Sequence, residues 1–144
     1  MADYPGQMPK SDPRWRNTTL YSIAGWMSSW YGWEGEEIGT AFGGYFRFDH
    51  KDGHVEGEIV DTWGSAKIAG SLRENMLMFS KTYIYKTSKQ TARGAIEYRF
   101  VRNGDAWYGQ FLLQSGTFGK AACKITPVVE DAFALMVGPP KLQF

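Results

Sequence analysis

With 144 residues and 43% apolar content, the chain is long enough for one globular domain with a buried core and too apolar for a disordered protein. Its 16 basic and 15 acidic residues almost cancel, so no basic field favours a nucleic acid as partner. The single cysteine, Cys123, excludes an internal disulfide, and no apolar run reaches the length of a membrane span. The polar N-terminal stretch lacks the apolar core of a signal peptide, which predicts a cytoplasmic protein.

The first part of the chain is the hardest to interpret. Residues 1–18 are polar and carry three prolines, which predicts an irregular N-terminal arm. The stretch from Thr19 to Trp33 then fits two structures. Trp26, Trp30 and Trp33 recur at helical spacing, but alternating aromatic and serine residues fit a strand equally well. The high aromatic content favours the strand, with Trp26 and Trp30 sharing one face.

Period-two alternation continues through seven further stretches that are separated by turn signals. They cover residues 38–48, 54–61, 66–72, 77–85, 94–102, 107–113 and 119–125. Connections this short allow only neighbouring antiparallel strands, and eight such strands lose their open edges by closing into a barrel. We therefore predict an all-β domain over residues 19–144, an eight-stranded antiparallel up-and-down barrel. Thr126 and Pro127 have the form of a helix start, which predicts a short C-terminal helix over residues 128–137.

Several segments of this pattern resemble the calycin group of small barrels, which includes lipocalins, fatty-acid-binding proteins and avidins. They are Gly25-Trp26, GEIVDTWGSAKIAG from Gly57, FSKTY from Phe79 and WYG from Trp107. The run D-x-x-G-x-A-x-I-x-G followed by F-x-K-x-Y is similar to short bacterial lipocalin-like proteins. The resemblance spans roughly Ile23 to Ile125. It implies a closed barrel with an apolar interior, and it identifies no ligand.

Two charged residues fall on the predicted inner faces, Asp61 and Lys81, and a buried charge is costly unless it is paired or functional. One interpretation is structural: Asp61 caps the turn that follows it, and the Lys81 amine lies in water or on Asp61 near a barrel end. The other is catalytic: Lys81, Asp61 and the Tyr83 hydroxyl form a site that orients a carbonyl or carboxylate within an apolar cavity.

The aromatic residues have two interpretations as well, because they fill barrel interiors and also line ligand pockets. Polar tips on Trp and Tyr favour a lined pocket, since each buried hydroxyl or indole needs a hydrogen-bond partner. The residues predicted to line it are Trp26, Trp30, Phe79, Tyr85, Tyr98, Phe100 and Trp107.

The sequence contains no recognised catalytic motif, and nothing in it calls for a cofactor. His50 and His54 flank a predicted surface turn, where a solvated loop is a better interpretation than a metal site. Three glutamates, Glu34, Glu36 and Glu37, lie in a Gly-rich connection that is interpreted as a solvated loop rather than as a flap supplying a general base.

Three functions follow from this pattern. The first is binding of a small, largely apolar molecule in the barrel interior. The second is a cofactor-free cyclase or isomerase that folds a hydrophobic polyene-type substrate in the same cavity. The third is a structural or assembly module with a filled barrel. Outward apolar residues such as Met76, Met78, Ile84 and Leu112 make a homodimer compatible with all three.

Overall fold

The structure is a computed structural model that describes residues 16–28, 39–89 and 91–129. These residues form eight β-strands and no helix. The strands are β1 (Thr18–Ser28), β2 (Gly39–Asp49), β3 (His54–Asp61), β4 (Gly64–Arg73), β5 (Met76–Lys86), β6 (Ile96–Asn103), β7 (Ala106–Leu112) and β8 (Phe118–Pro127). The region from Thr19 is thus a strand as far as Ser28, and residues 29–33 lie outside the described part of the chain.

The eight strands pair in chain order and close into a barrel, as the short connections predicted. Each neighbouring pair is antiparallel, and β8 returns to β1 with Ile125 opposite Ile23. β1, β3, β5 and β7 all finish at the same end of the barrel, here named the Asp61 end after the last residue of β3. None of the elements in residues 16–28, 39–89 and 91–129 is a helix that could cross a bilayer.

Alternate side chains of every strand point inward and form one continuous core. The buried apolar side chains include Ile23, Phe42, Phe46, Val55, Ile59, Ile68, Leu77, Phe79, Tyr98, Phe100, Trp107 and Phe111. Glycines on the inner face let strands and aromatic rings approach closely: a Cβ on Gly57 would collide with the Tyr45 carbonyl oxygen and with Phe46. The described inward side chains therefore pack into one contiguous cluster.

The predicted inward position of Trp26 is wrong, because Met27 takes the inner face of β1 and is 6% exposed. Trp26 lies half-buried on the outer face, where a Cβ on Gly39 would overlap its indole. The missing side chain of Gly39 leaves the room that the large ring needs. Trp30, predicted beside Trp26, lies outside the described residues, as do Glu34, Glu36 and Glu37.

The predicted inward position of Tyr85 is also wrong, because a β-bulge interrupts β5. On β4, Ala66 pairs with Tyr83 and the preceding residue, Ser65, pairs with Tyr85. Ile84 is therefore an extra residue in β5. A single inserted residue reverses the faces that follow it. Tyr85 consequently points outward and is 66% exposed.

The predicted helix start at Thr126-Pro127 is wrong as well, since both residues extend β8. Thr126 pairs with Ser22 and Pro127 with Tyr21 on β1. Proline is accommodated at the last position of this strand, where the ladder ends. The remainder of the predicted C-terminal helix lies outside the described residues, and the N-terminal arm stays a prediction.

Candidate functional site

Asp61 ends β3 and begins the two-residue turn to β4. Its Oδ1 atom accepts a hydrogen bond from the Trp63 backbone N–H at 2.7 Å, which is the turn cap that the sequence predicted. Its other oxygen, Oδ2, is left to face the barrel interior. One carboxylate can thus fix the turn and serve the interior simultaneously.

Lys81 points inward from the middle of β5 and meets this carboxylate. Its Nζ atom lies 2.7 Å from Asp61 Oδ2, and the side chains of Lys81 and Asp61 are 0% and 1% exposed. The same amine donates to the Tyr98 hydroxyl at 3.1 Å and to Met27 Sδ at 3.8 Å. Lys81 therefore forms a buried ion pair with further hydrogen bonds, the arrangement that a buried charge requires.

Two tyrosine hydroxyls complete what we name the Lys81 network: Lys81, Asp61, Tyr83, Tyr98 and Met27. The Tyr83 hydroxyl donates to Asp61 Oδ2 at 2.6 Å, and the Tyr98 hydroxyl donates to Met27 Sδ at 3.0 Å. The Lys81 amine also lies 4.6 Å and 5.2 Å from the centres of the Tyr83 and Tyr98 rings, within cation–π range. The network thus joins β1, β3, β5 and β6.

Burial sets the protonation behaviour of this network. Desolvation lowers the pKa of Lys81 below its ordinary value, and the charge and hydrogen bond of Asp61 oppose that shift. Desolvation also raises the pKa of Tyr83, assisted by the hydrogen bond to Asp61, and raises the pKa of Tyr98, assisted by the charge of Asp61. Both phenols therefore stay protonated and can act as hydrogen-bond donors over the physiological range.

Apolar and aromatic side chains surround the network at the Asp61 end. The residues that line the recess are Met27, Ser28, Thr40, Trp63, Lys81, Tyr83, Ile96, Tyr98 and Phe111. The free space between them is about 10 Å³, which is at the lower limit for a single water molecule. The hollow interior expected for a ligand-binding barrel is thus not found in this recess; side chains fill it.

The structure brings most of the predicted site residues together. Lys81, Asp61 and Tyr83 touch one another, and Tyr98 stacks on Phe79 with ring centres 5.1 Å apart. Phe100 stacks on Tyr98 at 5.9 Å and lies 5.8 Å from Phe79, so the three rings contact one another. Trp107 points inward but lies outside the recess, opposite Cys123 on β8. Whether any of them binds a ligand or takes part in catalysis stays a prediction.

Six residues of the recess were absent from the predicted site: Met27, Ser28, Thr40, Trp63, Ile96 and Phe111. Phe111 could have been found, since alternation along β7 already placed it inward. Met27 was hidden because both faces of its strand carry large apolar residues. Trp63 lies in a turn, where period-two alternation does not predict which way a side chain points.

The two histidines take part in surface contacts away from the network. His50 Nε2 lies 2.6 Å from Thr19 Oγ1, and His54 Nε2 lies 3.4 Å from Glu56 Oε1. Within residues 16–28, 39–89 and 91–129, no three His, Cys, Asp or Glu side chains cluster as metal ligands would.

The raised pKa values of Tyr83 and Tyr98 predict that the protein loses stability at alkaline pH. The unfolded chain releases the protons of Tyr83 and Tyr98 near pH 10, whereas the native state keeps them, so the free energy of unfolding falls as pH rises above 10. Each retained proton contributes a slope of about 1.4 kcal/mol per pH unit. Tyr83→Phe and Tyr98→Phe should each remove about that slope when denaturant unfolding is measured between pH 10.5 and 11.5.

The exposed Tyr85 supplies the matched control, and Tyr85→Phe should leave the alkaline slope unchanged. Burial also raises the pKa of Cys123 to about 12, but this contribution is shared by all three variants. Equal slopes for Tyr83→Phe and Tyr85→Phe would contradict the burial of the Tyr83 hydroxyl.

Comparison with known proteins gives little further information. No protein-family model matches the sequence, and no curated protein matches it. Among solved structures, a crystal structure of a surface lipoprotein is similar to 76% of this chain at 12% sequence identity, with a TM-score of 0.41. The chain spans 61% of that protein.

Proposed function

We propose that the protein binds a small, largely apolar molecule at the Asp61 end of the barrel, against the Lys81 network. The observation that carries this proposal is the buried ion pair with two phenols in a recess whose other lining side chains are mostly apolar. Desolvating two charges costs several kcal/mol per ion, and an apolar pair of similar size would often be as stable. Perturbed ionisable groups that converge in a recess are characteristic of functional sites.

The network indicates which ligand chemistry fits. The Tyr83 hydroxyl and the Lys81 amine are donors whose protons are directed at Asp61, Tyr98 and Met27. A carbonyl, ether or carboxylate oxygen that takes the place of one of these acceptors is the group that they would receive. Met27 and Ile96 offer an apolar surface for the remainder of the molecule, and the half-buried Trp63 closes one side. Because the free space is about 10 Å³, binding requires side chains to move. Met27 and Trp63 are suited to this, since methionine is flexible and Trp63 lies in a turn.

A neutral apolar dye that carries a carbonyl oxygen, prodan, tests the proposal directly. We expect the wild-type protein to enhance its fluorescence, and we expect its melting temperature to rise with the logarithm of dye concentration above the Kd. Tyr83→Phe and Trp63→Ala should weaken dye binding, whereas Tyr85→Phe should not. A protein that does not retain the dye, or that retains it equally in Trp63→Ala, Tyr83→Phe and Tyr85→Phe, would rule out this site.

The small size of the recess favours a second candidate, a structural module with a filled barrel. In that case the Lys81 network only fixes the strand register, and neither the dye nor any other small apolar molecule raises the melting temperature. The enzymatic form of the first proposal, a cyclase or isomerase acting on a polyene-type substrate, adds turnover that Lys81→Met or Tyr83→Phe abolishes. The calycin resemblance is compatible with either form, since it implies the barrel alone.

A further inference from the structure

A second space lies at the Asp61 end of the barrel, between the connection from β5 to β6 and the connection from β7 to β8. We name it the outer cleft, and residues 92–96 and 113–115 line it. Its free space is about 160 Å³, whereas the recess beside Lys81 has about 10 Å³. The outer cleft is therefore much the larger of the two.

One side chain stands between the outer cleft and the recess. Among the residues that the structure describes, Ile96 is the one that lines both spaces. Ile96 begins β6, lies directly opposite Lys81 on β5 and is 3% exposed. A rotation of this single side chain would therefore connect the outer cleft with the Lys81 network.

The outer cleft has an apolar floor and a polar mouth. Ala92 and Leu113 are half-buried and pack against the core, and Ile96 belongs to the core itself. Arg93 and Gln114, which also line the cleft, are exposed. A molecule in the cleft would thus place an apolar body on the floor while its outer side faces polar groups and water.

Contacts on both sides hold the walls of the outer cleft in place. Thr91 is 2% exposed, and its Oγ1 atom donates to the Trp63 carbonyl oxygen at 2.8 Å. The Thr87 backbone N–H donates to the same oxygen at 3.1 Å. Gly94 lies so close to Gln114 that a Cβ on Gly94 would collide with that side chain. One wall of the cleft is therefore tied to Trp63, which lines the recess, and the two connections contact each other.

The two volumes indicate the size and chemistry of a ligand that would use both spaces. The recess, at about 10 Å³, is near the lower limit for one water molecule, so it suits a single oxygen atom beside the donors Lys81 and Tyr83. An apolar cavity of about 150 Å³ binds benzene, so a cleft of this size suits one ring or a chain of about six carbons. Together the spaces fit a small apolar body that carries one oxygen acceptor.

We infer that the outer cleft is the second half of the ligand site. The apolar body of the ligand lies in the cleft, and its oxygen reaches Lys81 after the Ile96 side chain rotates away. The ligand is then a one-ring or short-chain ketone, aldehyde or carboxylic acid. This inference rests on the proposed function, and it adds the place of the ligand body and makes Ile96 the residue that limits access.

Acetophenone and isopropylbenzene test this inference, because the two molecules have nearly the same shape and only acetophenone carries an oxygen. In an NMR titration of the full chain, acetophenone should shift the backbone amide signals of Gly94 and Leu113 together with the Lys81 ε-carbon signal. Tyr83→Phe should weaken acetophenone binding by about fivefold or more, because a hydrogen-bond donor is lost. The same variant should change isopropylbenzene binding by less than about twofold, since isopropylbenzene accepts no hydrogen bond.

Variants of the cleft test the path past Ile96. Ile96→Ala should strengthen acetophenone binding by about tenfold, because the ligand no longer has to displace this side chain. Ala95→Leu places a larger side chain in the cleft and should weaken binding by about tenfold.

Ile68 offers the matched control for Ile96. It also lies directly opposite Lys81, on β4, and is 1% exposed, but it lines neither the recess nor the outer cleft. Ile68→Ala should therefore change acetophenone binding by less than about twofold. Far-ultraviolet circular dichroism and melting temperature show whether each variant is folded. Ile96→Val and Ile68→Val repeat the comparison at a smaller cost in stability.

Acetophenone binding that Tyr83→Phe weakens, but that Ile96→Ala and Ala95→Leu leave unchanged, would overturn the inference and leave the proposed function standing. Binding in the cleft that Tyr83→Phe does not weaken would also overturn it, because the oxygen would then not reach the Lys81 network. So would the absence of acetophenone binding in both the wild type and Ile96→Ala. The prodan titration of the wild type decides the proposed function separately.

Discussion

Replacing Asp61 by Ala should destabilise the protein by about 3–5 kcal/mol, the cost of removing one partner from a buried ion pair. In this variant the Lys81 amine, which is 0% exposed, keeps only the Tyr98 hydroxyl and the Met27 sulfur as partners. The loss of stability in Asp61→Ala should become smaller as pH rises towards 10.5. Without Asp61 the pKa of Lys81 in the native state falls further below its value in the unfolded chain. Between these two pKa values the unfolded chain binds one proton more than the native state, so the free energy of unfolding increases with pH.

Asp52 is the matched control for this prediction. Its Oδ1 atom accepts the His54 backbone N–H at 2.9 Å, which repeats the turn cap that Asp61 forms with Trp63, but Asp52 is exposed and forms no such buried pair. Asp52→Ala should therefore cost about 1 kcal/mol or less. The double variant Asp61→Asn with Lys81→Met should cost less than Asp61→Ala, because no buried charge is left unpaired. If denaturant unfolding gives equal losses for Asp61→Ala and Asp52→Ala, the buried pair is not present.

The filled interior predicts a second large effect, at Phe100. This side chain is 0% exposed and packs against both Tyr98 and Phe79, with ring centres 5.9 Å and 5.8 Å away. In a close-packed core Phe100→Ala leaves a cavity, and such changes cost about 3–5 kcal/mol. Urea unfolding of the wild type and the variant measures the difference.

The exposed Phe118, at 67%, provides the comparison, and Phe118→Ala should shift stability by less than about 0.5 kcal/mol. A water-filled barrel predicts a different outcome. The Phe100 ring would then already border solvent, and its removal would cost little more than that of Phe118. A loss below about 1 kcal/mol for Phe100→Ala would thus contradict the packed interior.

The sequence was sufficient for the topology and for the centre of the candidate site. Period-two alternation located all eight strands and placed Asp61, Lys81 and Tyr83 on inner faces. The prediction succeeded because short connections left a meander as the only topology, and because charged residues on an inner face must find partners. The structural interpretation of Asp61 is confirmed, since one oxygen caps the turn and the other binds Lys81, and the catalytic interpretation stays a prediction.

The errors have local causes that alternation does not detect. In β1 both faces carry large apolar residues, and the choice between Trp26 and Met27 depends on Gly39, a residue on the neighbouring strand. In β5 the sequence Tyr83-Ile84-Tyr85 is compatible with a regular strand and with a bulge. The outward direction of Tyr85 is set by the pairing with β4. The free volume of the recess depends on side-chain packing in three dimensions, which no one-dimensional pattern gives.

Titration of the lysine ε-carbons by carbon-13 NMR tests the buried Lys81 network most directly. The Lys81 resonance is identified by its absence from the spectrum of Lys81→Met. We expect it to titrate below the ordinary lysine value of 10.5, and lower again in Asp61→Asn, because burial lowers the pKa and Asp61 opposes that shift. A Lys81 resonance that titrates at 10.5 or above, and that is unchanged in Asp61→Asn, would show an amine in water and contradict the buried network.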